Sequence, residues 1–425
     1  MTARAEGAGR SGATAEEAGR LGVGTALVLV LAASLPPLAL GLFVPSMPTI
    51  ERVFGAGYES VQLTLSLYIA GLALGQLAYG PLSDRFGRRP AMIGGLAVFT
   101  IASVGGALAG GLGALIVARA AQALGGCAGM VLARAVIRDR VGADRAAGLI
   151  AYLTVAYMVA PMIGPVIGGW LDETVGWRAG FVLVAALGAL AVALTVRLLP
   201  ETRPDAGAAA AEGAISGLMA SFGRLVRMPA FLRHAALTAL TTAAFFGFMG
   251  GGPAVAIGQM GISPTEYGLF FVLAAAGYAA GNLTAGRLSA RFGIEAMIRA
   301  GTVVSLVAAI ALAGLTVAGR LEPVGLFATM AVLGFGNGMT MPNALAGAVS
   351  ALPERAGAAS GLAGFAQMGT GALASAAVGA LLGDTPHAMV AMITLATAAA
   401  FVVSRITVAG PPAPPTPEPE PSPPA

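Results

Sequence analysis

The chain has 425 residues, of which 57% are hydrophobic and only 10% are charged, and its mean hydropathy is +0.82. A water-soluble domain of this length could not hide so much apolar surface from solvent, so the composition excludes a soluble protein and indicates an integral membrane protein. The formal net charge of +4 fits arginines anchored against anionic lipid rather than a nucleic-acid-binding surface.

Twelve apolar segments follow one another along the chain, each near or above the roughly 20 residues that a helix needs to cross the hydrocarbon core. The predicted fold is therefore all-α, an integral membrane protein with twelve transmembrane helices. The predicted spans are 23–46, 61–81, 91–109, 112–133, 147–171, 177–199, 232–256, 265–287, 296–317, 323–346, 356–383 and 386–408.

An internal repeat divides the chain into two halves. Residues 71–87 (GLALGQLAYGPLSDRFG) and 277–293 (GYAAGNLTAGRLSARFG) are identical at ten of seventeen positions, and each lies at the tail of a long apolar segment. Secondary transporters use such paired hydrophobic halves to build a central site. We therefore predict two pseudo-symmetric six-helix bundles, at 23–200 and 231–410.

Three segments lie outside these bundles. Residues 1–22 are predicted to be a cytoplasmic tail, and 201–230 a cytoplasmic central loop with an amphipathic segment. That segment fits either a helix on the inner leaflet or a connector packed under the bundle, since these apolar residues fall at helical spacing: Ile215, Leu218, Met219, Phe222, Leu225 and Val226. The proline-rich residues 411–425 are predicted to be extended and disordered, and either dispensable or a ligand for a partner.

The arginines fix the predicted orientation. All 24 basic residues are arginines, and only Arg52, Arg178 and Arg320 lie on the side away from the N-terminus. Because positive charge favours the cytoplasmic side, we predict a multi-pass protein with both termini in the cytoplasm. A cleaved signal peptide ending near Ser34 is the alternative, which the continuing apolar run disfavours.

The strongest local signal lies at the inner end of the second span, where residues 80–89 read GPLSDRFGRR. Glycine permits a tight turn. A carboxylate accepts hydrogen bonds from a helix N-terminus or an arginine, and arginines anchor a loop at the lipid surface. We predict a conformational-switch loop that consists of Gly80, Asp84, Arg85, Gly87, Arg88 and Arg89.

Arg119 is the one arginine inside a predicted span. An unpaired guanidinium in the bilayer is costly and normally faces a cavity or a partner. We predict that Arg119 binds substrate or couples to protonation, with Gln122 and the inner-edge Asp139 as further candidates. The alternative is that its side chain snorkels to the outer surface.

Residues 160–169 of the fifth span read APMIGPVIGG. Each proline removes an intrahelical hydrogen bond and bends the helix, while glycines let another helix approach closely. The pattern predicts a hinge or a tight seal, with a structural kink as the alternative, formed by Pro161, Gly164, Pro165, Gly168 and Gly169. Gly71/Gly75, Gly277/Gly281 and Gly334/Gly338 are further small-residue pairs that favour plain helix packing.

A substrate cavity is predicted from polar and aromatic groups inside apolar helices, because a few polar groups among apolar walls suit a permissive pocket. The candidates are Tyr157, Phe245, Phe246, Asn337 and Gln367, and a helix-to-helix hydrogen bond is the alternative for each polar group. No carboxylate lies in the middle of a predicted span, so we expect neutral, zwitterionic or anionic amphiphiles as substrates. His234 and His387 fall near span ends and are predicted to be interfacial.

These motifs together resemble the major facilitator superfamily over most of the chain. Residues 80–89 resemble the motif after its second span, 119–125 its fourth-span motif, and 160–169 the fifth-span motif typical of its drug exporters, with Ala160 where a glycine is usual. Residues 176–181, 199–202 and 357–360 resemble the twelve-span Bcr/CflA branch of multidrug efflux proteins. That branch usually carries an acidic residue in the first span, where this sequence has Gly41.

The resemblance implies a monomeric secondary transporter that exports drug-like or secondary-metabolite molecules across a bacterial inner membrane by alternating access. It implies a proton-driven antiporter with a cavity between the bundles, whose partners are a small-molecule substrate, protons and lipid, with no cofactor. Proton coupling would use an edge carboxylate such as Asp84 or Asp139, or act through Arg119 and a titrating substrate.

Three alternatives to drug export stay open. A metabolite or sugar carrier of the same fold is the alternative within transport. A membrane-embedded enzyme would need a convergent nucleophile, acid–base pair or metal set, which two peripheral histidines and one cysteine do not supply. A channel or a structural protein fits the duplication poorly. The single Cys127 excludes an internal disulfide or a multi-cysteine metal site and is predicted to be a packing residue.

Overall fold

The computed structural model describes residues 22–158, 160–203 and 208–407, without the side chains of residues 142–145, 147–148, 151–152, 154–158, 208–216 and 353. The predicted tail at 411–425 and nearly all of the tail at 1–22 lie outside these residues. The described chain is helical and contains no β-strand. The prediction of an all-α protein is therefore confirmed.

The first half of the chain contains seven α-helices among the described residues. They are α1 (Val23–Phe43), α2 (Met47–Phe54), α3 (Tyr58–Phe86), α4 (Arg88–Ala107), α5 (Leu112–Met158), α6 (Ala160–Thr174) and α7 (Arg178–Leu198). A 3₁₀ turn at Val44–Ser46 joins α1 to α2, so these two helices follow one path.

The rest of the described chain contains seven more. They are α8 (Ala208–Leu225), α9 (Pro229–Pro253), α10 (Pro264–Phe292), α11 (Ile294–Val317), α12 (Pro323–Ser350), α13 (Ala356–Leu381) and α14 (His387–Arg405). A π-helical turn at Ala254–Gln259 extends α9. Helix α10 begins with a capping box, in which the Ser263 hydroxyl accepts from the Glu266 N–H and the Glu266 carboxylate accepts from the Ser263 N–H.

Ten helical segments among the described residues are long and apolar enough to cross a membrane, judged by length and composition. They match all the predicted spans except the fifth and the eleventh. Helix α13 covers the eleventh, but it consists largely of glycine, alanine and serine and is less apolar. Helix α5 continues through residues 134–146, between the predicted fourth and fifth spans, and the part of it that is apolar enough to cross a membrane ends at Val141. Alanine and arginine dominate that stretch, and both favour helix.

The helices pack in two groups. Helices α1, α3, α4, α5 and α7 contact one another, and α9 to α14 contact one another. Helix α6 packs on α1 of the first group, and the most extensive contacts between the groups are those of α3 with α13 and of α6 with α10. The ends of α3 and α7 and the beginnings of α4, α9 and α11 form what we call the arginine-rich end. The ends of α2, α6 and α13 and the beginnings of α3 and α10 form the opposite end.

Small residues set the spacing of the helices within each group. A Cβ added at Gly75 of α3 would lie 2.5 Å from Cys127 Cβ of α5, and one added at Gly71 would lie 2.9 Å from Ala123 Cβ. Gly277 faces the carbonyl of Ala331 in the same way. The predicted small-residue packing is confirmed, as is the packing role of the buried Cys127.

Helix α8 covers the arginine-rich end as a connector. Leu225 is fully buried and packs with Phe231, Ala351 and Leu352, and α8 contacts both α3 and α13. Among the stripe residues whose side chains the structure describes, only Met219 and Val226 are strongly exposed. These contacts favour a connector packed under the bundle over a helix lying free on the inner leaflet.

Candidate functional site

The segment predicted as a switch loop is a one-residue turn. Helix α3 ends at Phe86 and α4 begins at Arg88, so Gly87 alone reverses the chain, with a φ of +93° that glycine adopts readily. The prediction of a loop is wrong, because Gly80, Asp84 and Arg85 lie in the last turns of α3 and Arg88 and Arg89 lie in the first turn of α4. Gly80 is helical and has no close neighbour that would require glycine.

Arg88 lies at the centre of an ion-pair network at this turn. Its side chain is nearly buried, and it pairs with Asp84 of α3 at 3.0 Å and with Asp139 of α5 at 2.9 Å. Arg203, beyond the end of α7, pairs with the same Asp84 oxygen at 2.5 Å. Because Arg88 belongs to α4, one guanidinium connects three helices of the first half.

Glu201 completes the network and was missed by sequence reasoning. Its two carboxylate oxygens accept the backbone N–H groups of Arg88 at 2.9 Å and Arg89 at 3.1 Å. A carboxylate at a helix N-terminus satisfies free donors and complements the helix dipole. The only signal for Glu201 in the sequence was its place in the stretch at 199–202 that resembles the Bcr/CflA branch.

Replacing Arg88 with alanine is expected to lower both stability and transport. The substitution leaves Asp84 and Asp139 without their shared cation, and breaking a buried ion pair costs about 3 kcal/mol. The thermal unfolding midpoint of the purified protein and drug efflux from cells measure the two effects. Arg85→Ala is the matched control, because Arg85 is exposed and its guanidinium contacts only the Phe86 ring in the described structure. Equal losses in both variants would contradict the network.

Arg119 lies in an aromatic cage inside the first half. Its side chain is 0% exposed, so the snorkelling alternative is wrong. The guanidinium carbon lies 3.8 Å from the centre of the Tyr68 ring and 4.3 Å from that of Phe43. Aromatic faces attract cations, by about 2 kcal/mol or more when water is excluded. The rings therefore stabilise a charge that has no carboxylate partner among the described residues.

Hydrogen bonds hold one side of this guanidinium. One terminal nitrogen donates to Gln122 Oε1 at 2.7 Å and to the Ala39 carbonyl at 3.3 Å, and Gln122 Nε2 donates to Ser103 Oγ at 2.8 Å. Of the two further candidates, Gln122 thus contacts Arg119, whereas Asp139 lies in the ion-pair network at the arginine-rich end. The other terminal nitrogen and Nε are buried and find no partner within the described chain. These N–H groups can donate to a carbonyl, carboxylate or water oxygen.

The fifth-span motif lies at the interface between the two halves. A Cβ added at Gly169 would collide with the carbonyl of Pro264 in α10, and one added at Gly268 of α10 would collide with the carbonyl of Pro165. Gly168 packs in the same manner on the Leu42 carbonyl of the first half. Backbone therefore meets backbone between α6 and α10, as expected for a tight seal.

Gly41 belongs to the same packed layer. A Cβ at this position would lie 3.0 Å from Pro165 Cδ and 3.1 Å from Gly164 Cα. An acidic side chain at position 41 would press on α6, and Pro165 and Gly164 would have to shift to make room for it. The departure from the Bcr/CflA pattern therefore has a packing cause.

Polar contacts join the halves at the opposite end as well. The Tyr58 hydroxyl donates to the Gly250 carbonyl at 2.8 Å, and Gln62 Nε2 donates to the Ser375 carbonyl at 3.1 Å. The exposed Glu173 accepts the Thr265 N–H at 2.8 Å. Together with the glycine contacts, these bonds form what we call the seal, and this structure has it closed.

A second charged cluster lies at the arginine-rich end of the second half. Arg233 makes two bonds of 2.7 Å to the Glu295 carboxylate, and His234 Nε2 lies 3.1 Å from the same group. These residues line a cavity of about 280 Å³ with the exposed Arg299. The prediction that His234 is interfacial is wrong, because its side chain is buried against this cluster. His387 is exposed, as expected.

The structure does not bring the predicted cavity residues together with Arg119. Phe245 and Phe246 contact each other at 5.3 Å, and Gln367 lies 3.7 Å from Met341 Sδ. Asn337 bonds to Ser305 Oγ at 3.1 Å, which is the helix-to-helix alternative. The side chain of Tyr157 lies outside the described residues. Their role in binding substrate stays a prediction.

A family model and the sequences of known proteins place this chain in the same family. The family model described as the Major Facilitator Superfamily matches residues 29–375 and 253–425. The chain is 26% identical to the bicyclomycin resistance protein homolog of Haemophilus influenzae over 85% of this chain and 90% of that one. It is 30% identical to the chloramphenicol resistance protein of Pseudomonas aeruginosa over 76% of each.

A solved structure of similar fold is the peptide transporter POT, in a crystal structure of a mutant in complex with alafosfalin. The TM-score is 0.70 at 15% identity, with 91% of this chain and 94% of that chain covered. At this identity the likeness concerns the fold alone.

Proposed function

This chain belongs to the Major Facilitator Superfamily, and from that premise we propose that it exports drug-like or secondary-metabolite molecules across the inner membrane of a bacterium by alternating access. Membership makes it a multi-pass membrane transporter of a small molecule and not an enzyme. The direction of transport, the driving ion and the arrangement of the spans are parts of the proposal.

The proposed architecture has twelve spans in two six-helix bundles, residues 23–200 and 231–410. The packing of the helices in two groups supports it. The arginine distribution supports a cytoplasmic location for the arginine-rich end and for both termini. We further propose a monomer, in which the two bundles move against each other around a central site.

The observation that carries the proposal is the construction of the seal. The halves meet at the opposite end through glycine-to-carbonyl contacts and a few hydrogen bonds, and the side chains of Tyr58 and Gln62 reach across to Gly250. Such an interface can separate with little change in the packing inside either half, because few side chains insert between helices of the other half. A closed seal at the outer end corresponds to one of the two states that alternating access needs.

Two facts favour export over uptake. The relatives that match most of this chain are described as resistance proteins for bicyclomycin and chloramphenicol. The fifth-span motif, which resembles that of drug exporters, forms one side of the seal in α6. In this proposal Pro161, Gly164, Pro165, Gly168 and Gly169 act as the hinge of the outer gate.

Proton coupling is proposed to involve the Arg119 site. Asp84 and Asp139 are both held by Arg88, so each already has a structural partner at the arginine-rich end. Arg119 with Gln122 has two free donors in a buried cage. We propose that these donors receive an oxygen of the substrate or of a coupled proton carrier when the seal opens.

The charge of the site sets the proposed substrate class. A permanent cation placed beside Arg119 would meet a like charge with no carboxylate partner among the described residues, and this repulsion disfavours its binding. Neutral, zwitterionic and anionic amphiphiles avoid that repulsion. Chloramphenicol, which is neutral, is therefore a suitable first probe.

Expression in a bacterial host that lacks its own multidrug exporters tests the function. Cells that contain the protein are expected to accumulate less radiolabelled chloramphenicol, or a second amphiphile from a panel of neutral and anionic compounds, than cells with an empty vector. A protonophore should restore accumulation. Cells with Arg119→Ala, expressed to the same level, are expected to accumulate more of the compound than cells with the parent protein.

Two outcomes contradict the proposal. If the protein is well expressed and correctly inserted and accumulation stays unchanged across the panel, the protein is not a drug exporter. Protein-dependent uptake of a sugar or another nutrient identifies a carrier of the same fold instead.

A further inference from the structure

Asp172 differs from every other acidic residue that the structure describes, because it is the one whose side chain is buried. The residue is only 8% exposed and lies near the end of α6. One carboxylate oxygen accepts a hydrogen bond from the Thr49 hydroxyl of α2 at 2.6 Å. The Ser46 hydroxyl also lies close to this carboxylate, whose other oxygen is buried without a well-formed hydrogen bond in the described chain.

No cation neutralises this carboxylate in the described structure. Arg52 of α2 is the nearest candidate, but its guanidinium donates to the Thr49 hydroxyl at 3.2 Å and to the Pro48 carbonyl at 3.4 Å. The adjacent Glu173 adds a second negative charge. In contrast, Asp84, Asp139 and Glu295 each form ion pairs with arginines.

An ionised carboxylate in this position raises the free energy of the closed state. Burial of an unpaired charge costs far more than burial of the neutral acid, and a buried acceptor without a donor adds its own penalty. Addition of one proton to the free oxygen removes the charge and leaves the Thr49 hydrogen bond in place. No other bond forms or breaks.

The place of Asp172 connects this proton to the seal. It is three residues beyond Gly169, which packs on Pro264, and one residue before Glu173, which holds the Thr265 N–H. Helix α10 also packs on the 3₁₀ turn at Val44–Ser46, which leads directly into the helix that carries Thr49. Departure of α10 therefore uncovers the layer in which Asp172 lies and admits water to its carboxylate.

We propose that Asp172 is a proton-binding site whose occupancy controls closure of the seal. This inference rests on the proposed alternating access of an exporter. With the seal open, water solvates the carboxylate and the residue is ionised. A proton from the outer side neutralises it, and the seal then closes over an uncharged group.

The test measures directly whether the opposite end of the molecule is open or closed. Val53 of α2 and Leu381 of α13 are exposed at this end and belong to different helix groups. Cysteines at these two positions, in a Cys127→Ser background, accept spin labels for double electron–electron resonance in the full-length protein in nanodiscs. The distance distribution gives the ratio of closed to open molecules at each pH.

The closed population is expected to grow as the pH falls from about 8 to about 5, by at most about tenfold per pH unit, since one proton is linked to closure. Asp172→Asn, which mimics the neutral acid, is expected to be closed throughout and independent of pH. Asp384→Asn is the matched control, because Asp384 is an exposed carboxylate at the same end. It should retain the pH dependence.

Thr49→Val provides a second variant in case Asp172→Asn fails to fold. It removes the donor that stabilises the ionised carboxylate in the closed state. Because a hydrogen bond to the ionised carboxylate is stronger than one to the neutral acid, we expect a large loss of closed molecules at high pH and a smaller loss at low pH, hence a larger pH response. A smaller response, or none, would count against the site.

The same pH response in Asp172→Asn and in the parent protein overturns the proposal. Its failure is distinct from failure of drug export. A closure that depends on pH and loses this dependence in Asp172→Asn, without any effect on chloramphenicol accumulation, keeps the proton site and removes the export function. Chloramphenicol export by a protein whose closed population has the same pH dependence with and without Asp172→Asn keeps the export function and removes the proton site.

Discussion

Replacing Arg119 with alanine is expected to reduce export by about tenfold or more while the protein still inserts in the membrane. The substitution removes the contacts with the Tyr68 and Phe43 rings and the bond to Gln122 Oε1. One desolvated cation–π contact of about 2 kcal/mol already exceeds the roughly 1.4 kcal/mol that corresponds to a factor of ten in rate. Initial rates of chloramphenicol efflux from preloaded cells, at matched expression, measure the effect.

Tyr68→Phe and Tyr68→Leu serve as a matched pair for this prediction. Tyr68→Phe keeps the ring face and loses only the hydroxyl bond to the Pro36 carbonyl, so most of the export should remain. Tyr68→Leu removes the ring and should resemble Arg119→Ala. Arg119→Lys retains the charge but not the planar group that lies between the rings, and an intermediate rate is expected. Wild-type export in Arg119→Ala would show that the cage has no part in transport.

Replacing Gly169 with valine is expected to keep the seal from closing and to reduce export close to the level of cells without the protein. A Cβ at this position would lie 2.5 Å from the Pro264 carbonyl carbon and nearer still to its oxygen, and both belong to backbone that cannot rotate away. Overpacking of this kind costs about 1–3 kcal/mol, which shifts the ratio of closed to open molecules by about tenfold or more. Spin labels at Val53 and Leu381 should report a longer distance at every pH.

Gly314→Val is the matched control for this substitution. Gly314 is an exposed helical glycine of α11 with no neighbour within 4 Å of an added Cβ. Because the same side chain is added without a collision, export and the spin-label distance should stay close to those of the parent. A closed seal in Gly169→Val would contradict the assignment of the fifth-span glycines to the outer gate.

The two ends of the molecule are built on different principles. At the arginine-rich end, ion pairs and a carboxylate cap join α3, α4 and α5 to the chain after α7, all within one half. At the opposite end, small residues and single hydrogen bonds join the two halves to each other. A rigid half and a separable interface are the two mechanical elements that rocking about a central site requires.

Gly41, in place of the acidic residue usual in the Bcr/CflA branch, affects both the packing and the charge of the first span. The Bcr/CflA-like pattern leads one to expect a carboxylate in the first span, and its absence leaves Arg119 without an acidic partner there. The structure shows a second consequence, since the missing side chain allows α1 to lie directly against Gly164 of α6. The lack of an acidic partner for Arg119 and the close packing of α1 on α6 thus meet at one position.

The sequence alone determined most of the fold. Apolar segments of membrane-spanning length led to an all-helical membrane protein, and ten helices match predicted spans. The repeat at 71–87 and 277–293 predicted duplicated packing, and both copies contain glycines that lie against a neighbouring helix. These features are local or periodic, so they can be read before any contact is known. The fifth-span glycines were also recognised, because spacing on one helix reveals a small-residue face.

The tertiary structure alone decided which partner each polar group has. Nothing local distinguishes Asp172 from Glu173, yet one is buried against Thr49 and the other is exposed and holds an N–H of α10. Glu201 caps a helix that begins more than a hundred residues earlier, and Arg119 is enclosed by rings from three other helices. Burial and pairing depend on residues that are distant along the chain, and hydropathy patterns carry no information about such pairs.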